Sequence, residues 1–444
     1  MDIEKNVSLL GVKALSKMQE NAIEVIRTND NVVLLSPTGT GKTLAFLLPI
    51  IENMDAEEDN PQVIILSPTR ELALQTYKVS KKINPQLRVS CLYGGRPAME
   101  EHRNMNALKP QMIIGTPGRV LDHMTKENFS VSSIKRLVVD EFDKMLELKF
   151  QDEMSAIVQG LPHLTSHVLV SATNSKEIHL FPAFAKRKPT YLNYLGEAGM
   201  AVPDTICHYI VRSPQKDKLE TLRLLLGKFK GEPTVVFVGY RDAVARVGDY
   251  LHAQGFFVST FHGGLEQKDR EMALAMFSCG AKNVLVSTDL SARGLDIRTL
   301  RNVVHYHLPA HKEDYLHRCG RTGRWEDTGN SFLILGPEEA VPEYSQITFS
   351  EYQLLPPAEA PVPPVWTMLY IGKGKHDKLS KGDIVGFLCK KGGARADEIG
   401  SIEIKEHYSF VSVKRSKSKQ IMELCRNERI KKMSTRIELV RDSQ

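Results

Sequence analysis

Short uninterrupted apolar runs alternate with amphipathic stretches through most of this chain. In the first part the runs fall at 32–35, 63–67, 89–93, 112–116, 136–140 and 168–171. Between them apolar residues recur at helical spacing, as in Leu72 to Lys81 and Gly118 to Met124. Val/Ile/Leu runs of this length describe strands buried on both faces, and helices between them describe a parallel sheet. A polar, Gly-containing stretch from Gly196 to Asp204 reads as a hinge. The alternation then resumes at 206–211, 234–238, 257–261, 284–287, 302–307 and 331–335. The two halves share this pattern without residue-level repetition, so a short-period solenoid is not expected.

From Pro337 the composition changes. Pro356-Pro357 and Pro361-Val-Pro-Pro364 read as a stiff or extended connector. Beyond it the pattern predicts a strand at 367–371, a helix at 382–390, strands at 399–404 and 408–413, a helix at 419–429 and a strand at 435–440. That β-α-β-β-α-β order is a split βαβ sandwich, an architecture used by RNA-recognition modules. The expected organisation is a first α/β domain over 1–197, a hinge over 198–205, a second over 206–337, a Pro-rich linker over 338–364 and a small α+β domain over 365–444.

Charge sharpens this division. The 444 residues carry a net charge of +6. From Val365 onward there are 18 Lys and Arg against 10 Asp and Glu, a surplus of eight, whereas the preceding part has 41 against 43. A basic surplus confined to a tail domain predicts a polyanionic partner. No apolar run reaches the length that spans a bilayer, so no membrane partner is expected. Met1-Asp2-Ile3-Glu4-Lys5 lacks a signal-peptide pattern, and the six cysteines are scattered without a C-x-x-C pair. A reducing, cytoplasmic setting is the expectation, and a monomer.

Two turns carry chemistry. Ser36-Pro-Thr38-Gly39-Thr40-Gly41-Lys42-Thr43 follows the run Val32 to Leu35 and opens an amphipathic stretch, Leu44 to Met54. A Gly-rich turn between strand and helix presents backbone N–H groups and the positive helix end to phosphate. Lys42 is placed to reach the β/γ-phosphates, and Thr43 to put its hydroxyl on Mg²⁺. Ser36 stands where the general pattern has its first glycine. Asp140-Glu141-Phe142-Asp143 follows a second apolar run, Leu137 to Val139. Asp140 is expected to complete the metal site, and Glu141 to orient or deprotonate an attacking water. ATP and Mg²⁺ are the cofactors expected.

Further motifs stand in a fixed order: Gln19, Pro68-Thr69-Arg70-Glu-Leu72, Gly94-Gly95, Thr116-Pro-Gly118-Arg119, Ser171-Ala-Thr173, Val235 to Gly239, His262-Gly263-Gly264, Gln267 to Arg270, Ser287-Thr288-Asp289, Arg293 to Asp296, and His317 to Arg324. In this set the chain resembles the DEAD-box RNA helicases through both α/β halves, which implies two tandem RecA-like parallel-sheet domains. The resemblance implies that Gln19 reads adenine, that Asp296 touches the ribose, and that Arg321 and Arg324 are arginine fingers. It implies that Ser171 and Thr173 couple the acidic turn to lobe closure. Thr69, Arg70, Gly94, Gly95, Thr116, Gly118, Arg119, Gly263, Arg270 and Thr288 are implied RNA-backbone contacts, made to phosphate and sugar without reading sequence. Three departures occur. Phe142 replaces the usual alanine, the aromatic expected upstream of Gln19 falls at Asp2, and Cys319 replaces an aliphatic residue as a small buried group.

The tail, in Thr367 to Lys375, Lys381 to Ile384 and Ile399 to Ile404, resembles the RNA-binding domain appended to bacterial DbpA-type helicases. The RRM-like domain implied there grips structured 23S-type rRNA, which points to pre-ribosomal particles and large-subunit assembly. Its sheet offers Tyr370, Tyr408 and Phe410 but lacks the aromatic-rich central strand, so recognition is expected from loops and helix edges. Lys373, Lys375, Lys378, Lys381, Lys414, Arg415 and Lys417 are the expected phosphate contacts. Two alternatives to an RNA helicase stay open on sequence: an ATP-gated RNA clamp or remodelling factor without obligatory unwinding, and a DNA helicase of related architecture.

Overall fold

The computed structural model describes residues 12, 14–37, 39–95, 98–181, 184, 188–195, 205–289, 300–322, 328–342, 347–355 and 359–440. The described residues divide into two compact units, one up to Leu195 and the other from Thr205. In the first, β1 (Asn31–Leu35), β2 (Val63–Leu66), β3 (Val89–Leu92), β4 (Met112–Gly115), β5 (Arg136–Val139), β6 (Ser166–Ser171) and β7 (Thr190–Asn193) form one parallel sheet. Its order is β3-β4-β2-β5-β6-β1-β7. The Val/Ile/Leu strands are buried on both faces because the helices between them cover both. β7 was not among the expected strands; three of its four residues are exposed, and it closes an edge beside β1.

Among the described residues the second unit holds two larger sheets and a two-stranded hairpin. The larger is parallel, with β8 (Ile206–Arg212), β9 (Thr234–Val238), β10 (Val258–Phe261), β11 (Val284–Thr288), β12 (Asn302–His305), β13 (Gly329–Leu335) and β14 (Ser350–Glu351), in the order β10-β11-β9-β12-β13-β8-β14. The two α/β domains are RecA-like. The smaller sheet joins β15 (Trp366–Ile371), β16 (Ile399–Ile404), β17 (Ser409–Lys414) and β20 (Ile437–Leu439) in the order β16-β17-β15-β20. A short hairpin, β18 (Arg429–Ile430) and β19 (Met433–Ser434), takes up residues expected to end the last helix or to form turn, so that helix stops at Cys425.

The described parts of the Pro-rich stretch lie along the second lobe. β14 pairs with β8, Lys228 meets Glu359 at 3.2 Å, and Asn283 donates to the Val362 carbonyl at 3.2 Å. The small domain then turns its two sheet faces to different partners, as period-two alternation requires. Leu369, Ile371, Val411 and Val413 pack on its own helices. Met368 and Phe410 pack instead with Met276 and Ala281 of the second lobe.

Candidate active site

The order of the first sheet sorts its turns into two groups. β1, β6 and β5 are neighbours, and they end in the Ser36–Thr43 loop, Ser171-Ala-Thr173 and Asp140-Glu141 respectively. β2, β4 and β3 form the other half, and they end in Thr69-Arg70, Thr116 to Arg119 and Gly94-Gly95. Ligands of open α/β sheets gather at these carboxyl ends. One edge therefore carries a phosphate-type site beside a second row of small and basic residues.

The loop is tightly built. Ser36 N–H donates to the Ser171 carbonyl at 3.1 Å, tying β1 to β6. Ser36 Oγ lies 2.9 Å from Thr40 Oγ1, which also donates to the Pro37 carbonyl at 2.9 Å. Lys42 Nζ donates to the Ser36 and Pro37 carbonyls at 2.5 and 2.9 Å. Thr43 follows in the first turn of the helix Lys42–Glu52. Gly41 has φ of +84°, and a Cβ there would come within 2.3 Å of Gln19 Nε2. Only glycine meets both conditions. Gln19 is buried, donates to the Gly41 carbonyl at 3.2 Å and closes a capping box with Ser16.

The acidic turn is strained and charged. Glu141 takes φ of 47°, a conformation costing a non-glycine residue about 1–3 kcal/mol. Asp140 is 3% exposed and accepts from the Glu141 N–H at 3.0 Å. Burial, and next the Glu141 charge, push its carboxyl up to about 7. Asp143 is buried, and neither carboxylate oxygen has a hydrogen-bond partner among the described residues. The buried Asp140 carboxyl and the unpartnered Asp143 carboxylate beside it fit a divalent cation, and the loop fits a triphosphate. Thr43 and Asp140 are the residues that would hold the ion.

Ser171 and Thr173 bond to each other rather than to the acidic turn. Ser171 Oγ donates to the Thr173 carbonyl at 2.7 Å and accepts from its N–H at 3.2 Å. Phe142 is 1% exposed, with its ring 5.6 Å from Phe181 in an edge-on pair. The departure from alanine therefore fills core and leaves the carboxylates in place.

Of the second row, Arg70 lies against Gly94, since a Cβ there would sit 3.4 Å from its guanidinium. Thr69 caps the helix Arg70–Ile83 through the Leu72 N–H, and Thr116 precedes the helix Pro117–Thr125. Gly118 opens that helix with free space beside its Cα, and Gly95 is exposed. Arg119 is engaged, its Nε donating to Glu101 Oε2 at 2.8 Å. The same carboxylate oxygen lies 3.0 Å from His123 Nε2.

In the second lobe, Gly263 follows β10 and Thr288 ends β11, on neighbouring strands. Arg270 stacks 4.8 Å from the Phe261 ring, beside the Gly263 turn. Arg241, which the sequence did not single out, lies nearer: a Cβ on Gly263 would be 3.4 Å from its guanidinium. Its signal was an arginine at the first helical position after β9. Arg321 is buried and its Nε donates to the His317 carbonyl at 3.2 Å. Arg318, also not singled out, clamps Asp289 with two bonds of 2.5 and 2.7 Å and donates to the His307 carbonyl at 2.8 Å. Cys319 is fully buried, and burial pushes its thiol up to about 11, which keeps it an inert packing group. Thr38, Asp296 and Arg324 lie outside the described residues.

Three family models match the chain: DEAD/DEAH box helicase over residues 16–181, helicase conserved C-terminal domain over 217–326, and DbpA RNA binding domain over 368–439. The chain is 31% identical to the ATP-dependent RNA helicase DbpA of Escherichia coli (strain K12), covering 98% of this chain and 96% of the relative. The chain belongs to the DEAD-box ATP-dependent RNA helicases. It is 29% identical to DbpA of Bacillus subtilis (strain 168), over 97% and 95% of the two chains. Among solved structures, S. cerevisiae Dbp5 bound to RNA and ADP BeF3 matches with a TM-score of 0.70 at 27% identity, covering 79% of this chain and 93% of that one.

This DEAD-box helicase thus carries a DbpA-type RNA-binding domain, and the expected phosphate contacts there have different surroundings. Lys373 meets Asp377 at 3.0 Å, Lys414 meets Asp397 at 3.1 Å, and Lys375 is exposed. Arg415 departs from the expectation. Its guanidinium donates to the carbonyls of Pro364, Trp366 and Ala281 at 2.9, 3.0 and 3.1 Å, and stacks 4.6 Å from the Phe257 ring. It fastens the module to the second lobe, because three carbonyls satisfy a planar fork that phosphate would otherwise take.

Proposed function

We propose that this helicase separates short stretches of RNA duplex locally, without processive translocation, on structured 23S-type rRNA during large-subunit assembly in the cytoplasm, acting as a monomer. One observation carries this reading: a nucleotide-type turn set and a DbpA-type RNA-binding domain occur in one chain, the latter matched over 368–439. Lys42 would exchange its two loop carbonyls for phosphate oxygens, Gln19 would meet adenine and Asp296 the ribose. Glu141 would take or orient the proton of the attacking water, and Arg321 and Arg324 would stabilise the charge that develops on the transferred phosphoryl group. Mg²⁺ at Thr43 and Asp140 would neutralise the β- and γ-phosphates. Thr69, Arg70, Gly94, Gly95, Thr116, Gly118, Arg119, Gly263, Arg270 and Thr288 would hold one strand by its backbone, with Ser171 and Thr173 coupling that grip to the nucleotide.

Magnitudes favour a local action. Driving a two-state closure from 1:99 to 99:1 takes about 5.5 kcal/mol of differential binding. Nucleic-acid stacking is roughly 1.4 kcal/mol per step on the DNA average. One closure then melts on the order of four base pairs. Strand displacement on RNA duplexes of graded length, with and without an rRNA hairpin extension, tests the proposal. Rates should fall steeply with duplex length and rise with the hairpin. Displacement of long duplexes in a single encounter, or ATP turnover indifferent to RNA, would refute it.

A further inference from the structure

A chain of polar side chains runs behind the turns of the second lobe. Arg318, only 3% exposed, donates to His305 Nδ1 at 3.3 Å as well as to Asp289 and the His307 carbonyl. His305 Nε2 lies 3.0 Å from Ser331 Oγ, Ser331 Oγ lies 3.1 Å from the Tyr315 hydroxyl, and that hydroxyl lies 2.7 Å from His208 Nδ1. A guanidinium donates and never accepts. His305 Nδ1 must therefore accept, Nε2 carries the proton, and each hydroxyl donates onward as far as His208. Burial first, and then the Arg318 charge, hold His305 well below the ordinary imidazole range, so it stays neutral. Burial lowers His208 to about 4, which keeps its acceptor free. The rings fix the geometry further. His305 stacks on Tyr315 at 4.9 Å, with the Phe237 ring at 6.3 Å, and the Arg318 guanidinium lies 5.1 Å from that same Phe237 ring.

Arg318 stands at a junction. Asp289, which it clamps, directly follows Thr288 at the end of β11, and the Arg321 N–H donates to the Arg318 carbonyl at 3.1 Å. In the reading above Thr288 touches RNA and Arg321 the phosphoryl group, so one guanidinium joins the two. We propose that His305 is a positioning residue that, by accepting from Arg318 while donating to Ser331, fixes this guanidinium and so holds the Thr288 turn and Arg321 in register. The inference rests on the RNA-helicase reading and deepens it, naming what couples RNA to the arginine finger within one lobe. A histidine that only filled space could be replaced by any side chain of like volume. One that positions Arg318 can be replaced only by a group that accepts where Nδ1 does.

The test uses the full chain. Asn places its amide oxygen near the position of Nδ1, whereas Gln places its amide end near Nε2. His305→Asn therefore keeps an acceptor for Arg318 and loses the Ser331 bond, and His305→Gln does the reverse. RNA-stimulated turnover should stay close to that of the unsubstituted protein in the Asn variant. In the Gln variant kcat should fall about ten- to a hundredfold, as for a misplaced catalytic group, and KM for RNA should rise. Without RNA or nucleotide, hydrogen exchange over 284–289 and 312–322 should quicken about tenfold in the Gln variant, the effect of losing one hydrogen bond to a charged group, and not in the Asn variant. Ser331→Ala keeps the imidazole but frees its tautomer; it should share the quickened exchange, and it decides the matter where the His305 variants do not fold. Equal behaviour of the Asn and Gln variants would overturn the proposal, as would unchanged exchange in Ser331→Ala. ATP turnover of the unsubstituted protein with and without RNA is measured alongside. Absence of stimulation there would refute the functional reading, while the ligand-free exchange decides His305 separately.

Discussion

Lys42, Glu141 and Gly41 show how few atoms the nucleotide turn depends on. Lys42 is held by two carbonyls of its own loop, which pre-position its ammonium, and its charge also acts on the Asp140 carboxyl. Lys42→Ala is expected to lower RNA-stimulated ATP turnover by at least about 10²-fold, the scale of losing one charge-stabilising donor. Glu141→Gln keeps the size and the strained turn but removes the base. Turnover should fall by about 10²–10⁴ while ATP and RNA still bind, leaving a long-lived RNA complex on a native gel. Normal turnover in either variant would remove the assigned role.

At the scale of elements, neighbouring strands are joined by buried polar pairs. His167 on β6 bonds Asn31 on β1 at 2.8 Å, and burial lowers its imidazole from 6.5 to about 4. The fold favours neutral His167, so its contribution is complete above pH 6.5. It is lost progressively as the pH falls from 6.5 towards 4, because the unfolded chain binds that proton more readily. Urea midpoints should therefore drop across this window, and His167→Gln should make the drop shallower. Phe142 presents a second element-scale case, wedged between the short helix it opens and Phe181. Phe142→Ala restores the family's usual residue yet empties a fitted core position. It should cost about 3–5 kcal/mol in urea unfolding, unless neighbouring side chains collapse into the space.

For the molecule as a whole, the basic module does more than add charge. Its outer sheet face and Arg415 are engaged on the second lobe through Met276, Ala281 and the Phe257 ring. Removing residues 365–444 should leave an ATPase with weak, nonspecific RNA preference, and the cut lobe should also unfold at lower urea and self-associate. Gel filtration and melting of the truncated protein check the second effect. An unchanged RNA preference would dismiss the module as the targeting element, and unchanged stability would contradict its docking.

How far the sequence reached follows from the range of each interaction. Strand runs, the Gly-Lys-Thr turn, the acidic turn and the DEAD-box order were legible because each depends on residues a few positions apart. So was the small domain, whose period-two pattern survives without knowledge of its neighbours. Short edge strands such as β7 and β14 were not, since their partners lie far along the chain and their residues are largely exposed. Arg415 reads as one more cation in a basic run, and only three carbonyls from distant segments make it a fastening. Arg318 and Arg241 likewise acquire roles through Asp289 and the Gly263 turn, contacts that no local spacing encodes. Periodicity and turn chemistry are local and were settled by the chain's own order. The sorting of turns along one sheet edge, and the choice of which charges stay unpaired, arise from strand pairing and packing, which only the folded molecule decides.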